Sequence, residues 1–265
     1  MSKTDTMFPP LFLAHGSPML ALTEIPAHRY LKEMARELPA PTGIIVMSAH
    51  WETAGLRVNA PGQLKTIHDF RGFPQALYDV QYPAAASEAL VQSALGQFAK
   101  AGLTSVADPG WGLDHGAWVP LSLVWPELDV PVIQVSIPYG STPRDIYEIG
   151  RALAPLRAEG IAIIGSGSTT HNLRQIAPEG SPPAPWAEAF DAWLDAGLAG
   201  GDISTFDDLS RAPNFPLAHP SPEHFLPVFF AMGAAEGRAP ELTHRTYSHG
   251  SLSMSYFRFP EAAAA

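Results

Sequence analysis

No cysteine occurs in the chain, which excludes a disulfide framework, a thiolate metal site and a thiol nucleophile. Any metal must therefore be held by histidine, carboxylate or water. Basic residues are also scarce: 16 Lys and Arg stand against 26 Asp and Glu, for a formal net charge of −10. They form no cluster, so the positive surface that nucleic acid or an anionic membrane requires is missing. Charged residues make up only 16% of the chain and hydrophobic ones 46%, the balance of a packed core rather than of a disordered or coiled-coil protein. No run approaches the roughly 18 apolar residues of a membrane span. Met1 to Met7 carry neither the apolar segment nor the cleavage site of a signal peptide, and a soluble protein of the cytoplasm is expected. With no repeat or linker, residues 1–265 are expected to form a single domain.

What the chain does have is ten histidines. Three short apolar runs lead to one each: Leu11 to Ala14 into His15, Ile44 to Ala49 into His50, and Ile161 to Ile164 through Gly165-Ser166-Gly167 to His171. Such runs read as buried strands, and ligands of open α/β sheets bind beyond the carboxyl ends of strands. Between them the spacing predicts helices over 27–37, 87–101, 143–158 and 186–198, with Ser87 and Thr142 as caps. Strand alternating with helix is the unit of a parallel sheet. Ser221-Pro222 predicts a helix over 223–235 that would put His224 in its first turn. The segment 108–118, which contains His115, reads as loop, 119–124 beyond it as helical, and Ser251 to Phe257 as a half-buried strand before a frayed alanine tail.

A histidine is more often a hydrogen-bonded or surface residue than a ligand, so context has to single out the functional ones. His15 and His50 adjoin small residues that leave room for a ligand. His171 follows a Gly-Ser-Gly segment read as a flexible turn, and His115 lies between Asp114 and Gly116. His68 and Asp69 either line the site or brace an aromatic loop, the bracing role being favoured, and His28, His219, His244 and His249 read as surface or loop residues. There is no Gly-x-Ser-x-Gly elbow, no phosphate loop and no His-Glu-x-x-His helix. A metal constellation built on histidine remains.

These segments resemble the class III extradiol ring-cleaving dioxygenases, and within them the 4,5-DOPA extradiol dioxygenase branch. The matching stretches are Leu13-Ala14-His15-Gly16-Ser17-Pro18-Met19, Ser48-Ala49-His50-Trp51, His68-Asp69-Phe70, Trp111 to Gly116, His171-Asn172-Leu173, Pro222 to Pro227 and Gly250 to Met254. The resemblance implies a three-layer α/β/α sandwich around a mixed, largely parallel sheet. It also implies a mononuclear non-haem Fe(II) site, in which zinc can replace iron in purified protein. His15 and His50 match two of the family's metal ligands and His224 the third, with Glu223 as the alternative from the carboxylate branch. His171 matches its acid/base and His115 the histidine that assists substrate and oxygen. The implied reaction is cleavage of a catechol ring by O2 to a muconic semialdehyde, with no partner beyond catechol, dioxygen and at most a second copy in a homodimer. A zinc hydrolase using the same histidines to activate water, or a non-catalytic metal-binding protein of this fold, are the alternatives.

Overall fold

A computed structural model describes residues 7–127 and 129–260. The polar stub up to Thr6 and the alanine tail lie outside the described residues. The strands are β1 (Leu11–Ala14), β2 (Gly43–Thr53), β3 (Leu56–Asn59), β4 (Gly62–Leu64), β5 (Ala84–Ala86) and β6 (Ser105–Asp108) in the first half of the chain. The second half adds β7 (Val132–Pro138), β8 (Ile161–Gly167), β9 (Glu241–His244), β10 (Tyr247–Ser248), β11 (Leu252–Ser253) and β12 (Tyr256–Arg258). The helices are α1 (Pro26–Met34), α2 (Gln75–Tyr78), α3 (Glu88–Lys100), α4 (His115–Val124), α5 (Pro143–Leu153), α6 (Pro185–Ala199), α7 (Phe215–Ala218) and α8 (Pro227–Ala234).

Eight strands form the central sheet in the order β6-β3-β7-β2-β8-β1-β12-β9. The middle four, β7, β2, β8 and β1, are mutually parallel, and antiparallel pairings join β3 and β12 to them. The central strands are apolar on both faces because both are covered. Along β2, Ile45 and Met47 enter one core with α3, α5, α6 and α8, while Ile44 and Val46 enter the other with α1 and α4. The three-layer sandwich around a mixed sheet is therefore as the resemblance implied. Among the described residues no helix is long and apolar enough to cross a membrane.

The structure corrects five local expectations. Strand β2 does not stop at His50: it runs to Thr53, because Glu52 and Thr53 pair with Ile137 and Pro138 after an irregularity that begins at Met47. Gly165-Ser166-Gly167 is not a flexible turn but the buried end of β8. Its glycines are needed because a Cβ there would collide with the backbone carbonyls of Pro227 and His224. The segment read as loop at 108–118 ends in α4, which starts at His115 with Asp114 as cap, the carboxylate accepting from Ala117 N at 3.2 Å. The helix expected at 223–235 starts only at Pro227. Ser221 Oγ turns to the Glu223 carboxylate at 3.1 Å instead of capping it, and a turn closed by Phe225 N to Pro222 O at 2.9 Å carries His224. Finally, 251–257 is split between β11 and β12 and is buried throughout rather than alternating.

Candidate metal centre

The carboxyl ends of β2, β8 and β1, adjacent in the sheet, bring His50, the segment leading to His171, and His15 to one edge. His15 follows β1 directly, and its backbone N–H donates to Gly167 O at 3.2 Å, so the chain leaves the sheet beside β8. Its Nε2 faces His50 Nε2 at 3.1 Å. Two nitrogens each about 2.1 Å from a shared ion would stand at about that separation.

The proton on His15 is set by its surroundings. Pro120 lies inside α4 and has no N–H to give the carbonyl four residues back, that of Gly116. Ser166 Oγ supplies the missing donor to Gly116 O. Having spent its own proton, the hydroxyl can only accept from His15 Nδ1, 3.0 Å away, which leaves His15 Nε2 as a lone pair.

The other rings are braced in the same way, through Nδ1. Asp69 Oδ1 accepts from both the backbone N–H and the Nδ1 of His115, at 3.0 and 2.9 Å, and Asp69 Oδ2 stands 3.5 Å from His50 Nδ1. Glu223 Oε1 accepts from His224 Nδ1 at 2.9 Å. His224 Nε2 is left buried without a hydrogen-bond partner among the described residues. The carbonyl of His224 is tied to Ser168 N at 2.8 Å, and His171 N is tied to Ala218 O at 2.9 Å. The rings of His171 and His224 stack 3.5 Å apart, within 7° of parallel.

Electrostatics disfavours the charged form of three of the cleft's imidazoles, His15, His50 and His171. Burial, followed by the neighbouring rings, lowers His15 and His50 well below the usual histidine range. Burial and His224 bring His171 to about 3. Burial is the largest single influence on Glu223 and opposes its ionised form, but the hydrogen bonds from His224, Ser221 and its own backbone N–H, with the attraction of the His224 ring, together outweigh it and the carboxyl falls to about 2. The balance between burial and His115 likewise leaves Asp69 lowered. Imidazoles braced through Nδ1 by carboxylates are what a divalent ion binds, and the orphaned His224 Nε2 is the atom such an ion would satisfy. The donor set fits a metal.

Of the histidines singled out in the sequence, His15, His50, His115, His171 and His224 line one cleft of about 400 Å³. Their donor atoms fall into two groups, His15 with His50 and His115, and His171 with Glu223 and His224, each within 4.8 Å. The two groups meet: the ring of His224 is 5.3 Å from that of His15 and 4.9 Å from that of His50. His68 lies apart and braces the aromatic loop through Val80 O at 3.0 Å. His28 and His219 are not surface residues but buried ones, bound to Leu20 O and Thr169 O. Asp69 and Ser166 were not read as part of the site. The signals for Asp69 were its place in a long aromatic loop and in the matching stretch His68-Asp69-Phe70, and nothing local marks Ser166.

The family model described as the catalytic LigB subunit of aromatic ring-opening dioxygenase matches residues 9–260. A 4,5-DOPA dioxygenase extradiol from Beta vulgaris is 42% identical, over 98% of this chain and 99% of its own. One from Escherichia coli K12 is 40% identical over 95% and 94%. The crystal structure of an uncharacterised Escherichia coli K12 protein matches with a TM-score of 0.78 at 34% identity, covering 95% of this chain and 99% of that one.

Proposed function

The chain belongs to the LigB family of aromatic ring-opening dioxygenases, and on that premise we propose that it is an extradiol catechol dioxygenase working as one catalytic domain. The reaction inserts both atoms of O2 into a DOPA-like catechol beside its two hydroxyls and yields a muconic semialdehyde. His15, His50 and His224 would hold a mononuclear Fe(II), which when bound supplies the redox step and open positions for catechol and dioxygen. Zinc would fit the same nitrogens without the redox step. The observation that carries this reading is the orientation of the imidazoles: on His15, His115 and His224 the Nδ1 proton is engaged outside the cleft, so Nε2 is free to point inward.

Three uncharged ligands do not neutralise a dication, so the site attracts an anionic catecholate. Catechol must shed a proton to bind in that form. His171, on the cleft wall, is placed to take it; burial weakens the imidazole as a base, and the negative charge of a bound catecholate beside it would offset that. The same burial that disfavours its imidazolium makes that cation a ready acid, so His171 returns the proton to the oxygen that leaves as the ring opens. His115, pinned through Nδ1 and its backbone N–H to Asp69, keeps its other nitrogen toward substrate and dioxygen. Phe70 and Phe73 close the side of the cleft and limit water.

The test is anaerobic reconstitution with Fe(II) followed by a catechol panel in air, recording oxygen uptake and product mass. A product heavier than its catechol by one O2, with uptake matching it mole for mole, supports the reading. Zinc-dependent turnover without oxygen would replace it with a hydrolase.

A further inference from the structure

His171 is held differently from the rings around it. His15, His115 and His224 are each fixed through Nδ1 by a hydrogen bond. Among the described residues the His171 ring makes none. It stacks on His224, and its backbone N–H donates to Ala218 O at 2.9 Å. With no brace on the ring, its aim has to come from the chain that carries it.

That chain is Ser168-Thr169-Thr170, which is buried and bonded at every step. Ser168 N donates to His224 O at 2.8 Å, and Ser168 Oγ to Thr170 O at 2.8 Å. Thr169 O accepts from His219 Nε2 at 2.8 Å. Thr170 Oγ1 donates to Ser251 O at 2.7 Å and accepts from Ser253 N at 3.0 Å, which ties the segment to β11. The remaining hydroxyl, Thr169 Oγ1, donates at 2.5 Å to Asp191 Oδ1 on α6. Asp191 is 1% exposed. Its Oδ2 accepts from Tyr247 OH on β10 and Ser253 Oγ on β11, both at 2.7 Å. Arg245 Nε stands 3.3 Å from that oxygen, and the same guanidinium is gripped by both oxygens of Asp195 at 2.6 and 2.8 Å. A carboxylate stripped of water costs more to bury than an apolar side chain joining the same elements, even when it is paired. What it adds is direction. One oxygen faces the segment before His171 and the other faces β10 and β11, so helix, segment and strands are locked in one arrangement.

We propose that Asp191 is the positioning residue of His171: through Thr169 it fixes the backbone that aims this imidazole into the cleft. This rests on the ring-cleavage reading for the task of His171, and on the hydrogen bonds alone for how the ring is held.

The test compares Asp191→Asn with Thr169→Val, which keeps the shape of the side chain and deletes the hydroxyl that reaches Asp191, each alone and combined with His171→Gln. In zinc-loaded protein carrying isotope-labelled histidine, the NMR signal of the His171 ring is identified by its absence from His171→Gln. It should move or broaden in both single variants, while the signals of His15 and His50 stay. In the Fe(II) protein both should lower kcat by as much as about 100-fold, the cost of misplacing a reacting group by about 1 Å, with KM for catechol little changed. Neither should lower kcat further once His171 is replaced, because a residue that acts through His171 then has nothing to act on. An equal loss in both backgrounds is what a merely structural role gives, and it overturns the proposal. So does an unaltered kcat, or a His171 signal unmoved in both variants. Loss of zinc from Thr169→Val overturns it as well, since His224 would then be the residue the segment holds. If Asp191→Asn does not fold, Thr169→Val decides alone. If the unaltered Fe(II) protein cleaves no catechol, the dioxygenase reading falls and the ring signal still decides the positioning.

Discussion

Ser166 sets the proton of His15. Its hydroxyl gives its hydrogen to Gly116 O and therefore receives the one on His15 Nδ1, so a residue that never touches the cleft decides which histidine nitrogen faces it. Groups that orient a metal-binding histidine are typically worth about 10- to 100-fold in metal affinity. Ser166→Ala should weaken metal binding by about that much, and it should also lower the unfolding temperature of the metal-free protein, because the buried Gly116 carbonyl and His15 Nδ1 both lose their partner. Chelator competition measures it, and an unchanged affinity would show that His15 needs no such support.

Ligand identity is separable from ligand bracing. His15→Ala, His50→Ala and His224→Ala should each lose stoichiometric metal while remaining folded, since two imidazoles are a poor chelate. Glu223→Gln should keep full occupancy with reduced affinity, because the amide oxygen can still accept from His224 Nδ1. Metal content of the folded variants decides it. Retention in His224→Ala together with loss in Glu223→Gln would make the carboxylate the third ligand.

His171 is expected to move protons rather than hold the metal. His171→Gln should retain Fe(II) and bind catechol, yet lose turnover by about 100-fold or more, the usual contribution of a placed acid or base. Loss of the metal in this variant would instead make His171 a ligand, a role its grouping with His224 and Glu223 permits.

The metal-free protein should be acid-sensitive. His15, His50, His171 and His219 all have folded-state values depressed by burial, those of His171 and His219 to about 3. The unfolded chain therefore binds more protons as the pH drops below about 6.5. Stability is fully present above that pH and is lost as the pH falls from there toward 3, for a fully buried group such as His219 by at most about 1.4 kcal/mol per pH unit. Unfolding temperature should be level from pH 8 to 7 and decline by pH 5, and bound metal should delay the decline by competing with protons for His15 and His50. A level profile down to pH 5 would rule this out.

The framework could be read from the chain because it rests on local patterns. Strands β1, β2 and β8 are apolar on both faces, and their carboxyl ends fix where His15 and His50 must lie. Helix α3 announces itself through Ser87, whose hydroxyl accepts from Leu90 N. Helix α4 shows only its second half, 119–124, because Gly116 and Pro120 are poor helix formers and hide the first turn that Asp114 caps. The position of His224 depends on the bare backbone of Gly165 and Gly167 on a distant strand, and the pairing of Asp69 with His115 spans 46 residues. Periodicity carries no information about either.

Pro120 is the kind of residue that a search for heat-resistant variants would remove. Alanine there would restore a helical N–H and improve helix propensity by about 3 kcal/mol. That N–H would then compete with Ser166 for the Gly116 carbonyl and free the hydroxyl to offer its own hydrogen to His15 Nδ1. The ring could then carry its proton on the nitrogen that faces the cleft. A screen that scored only unfolding would count the change as an improvement, while the tautomer it disturbs lies on the neighbouring strand edge, outside anything such a screen records.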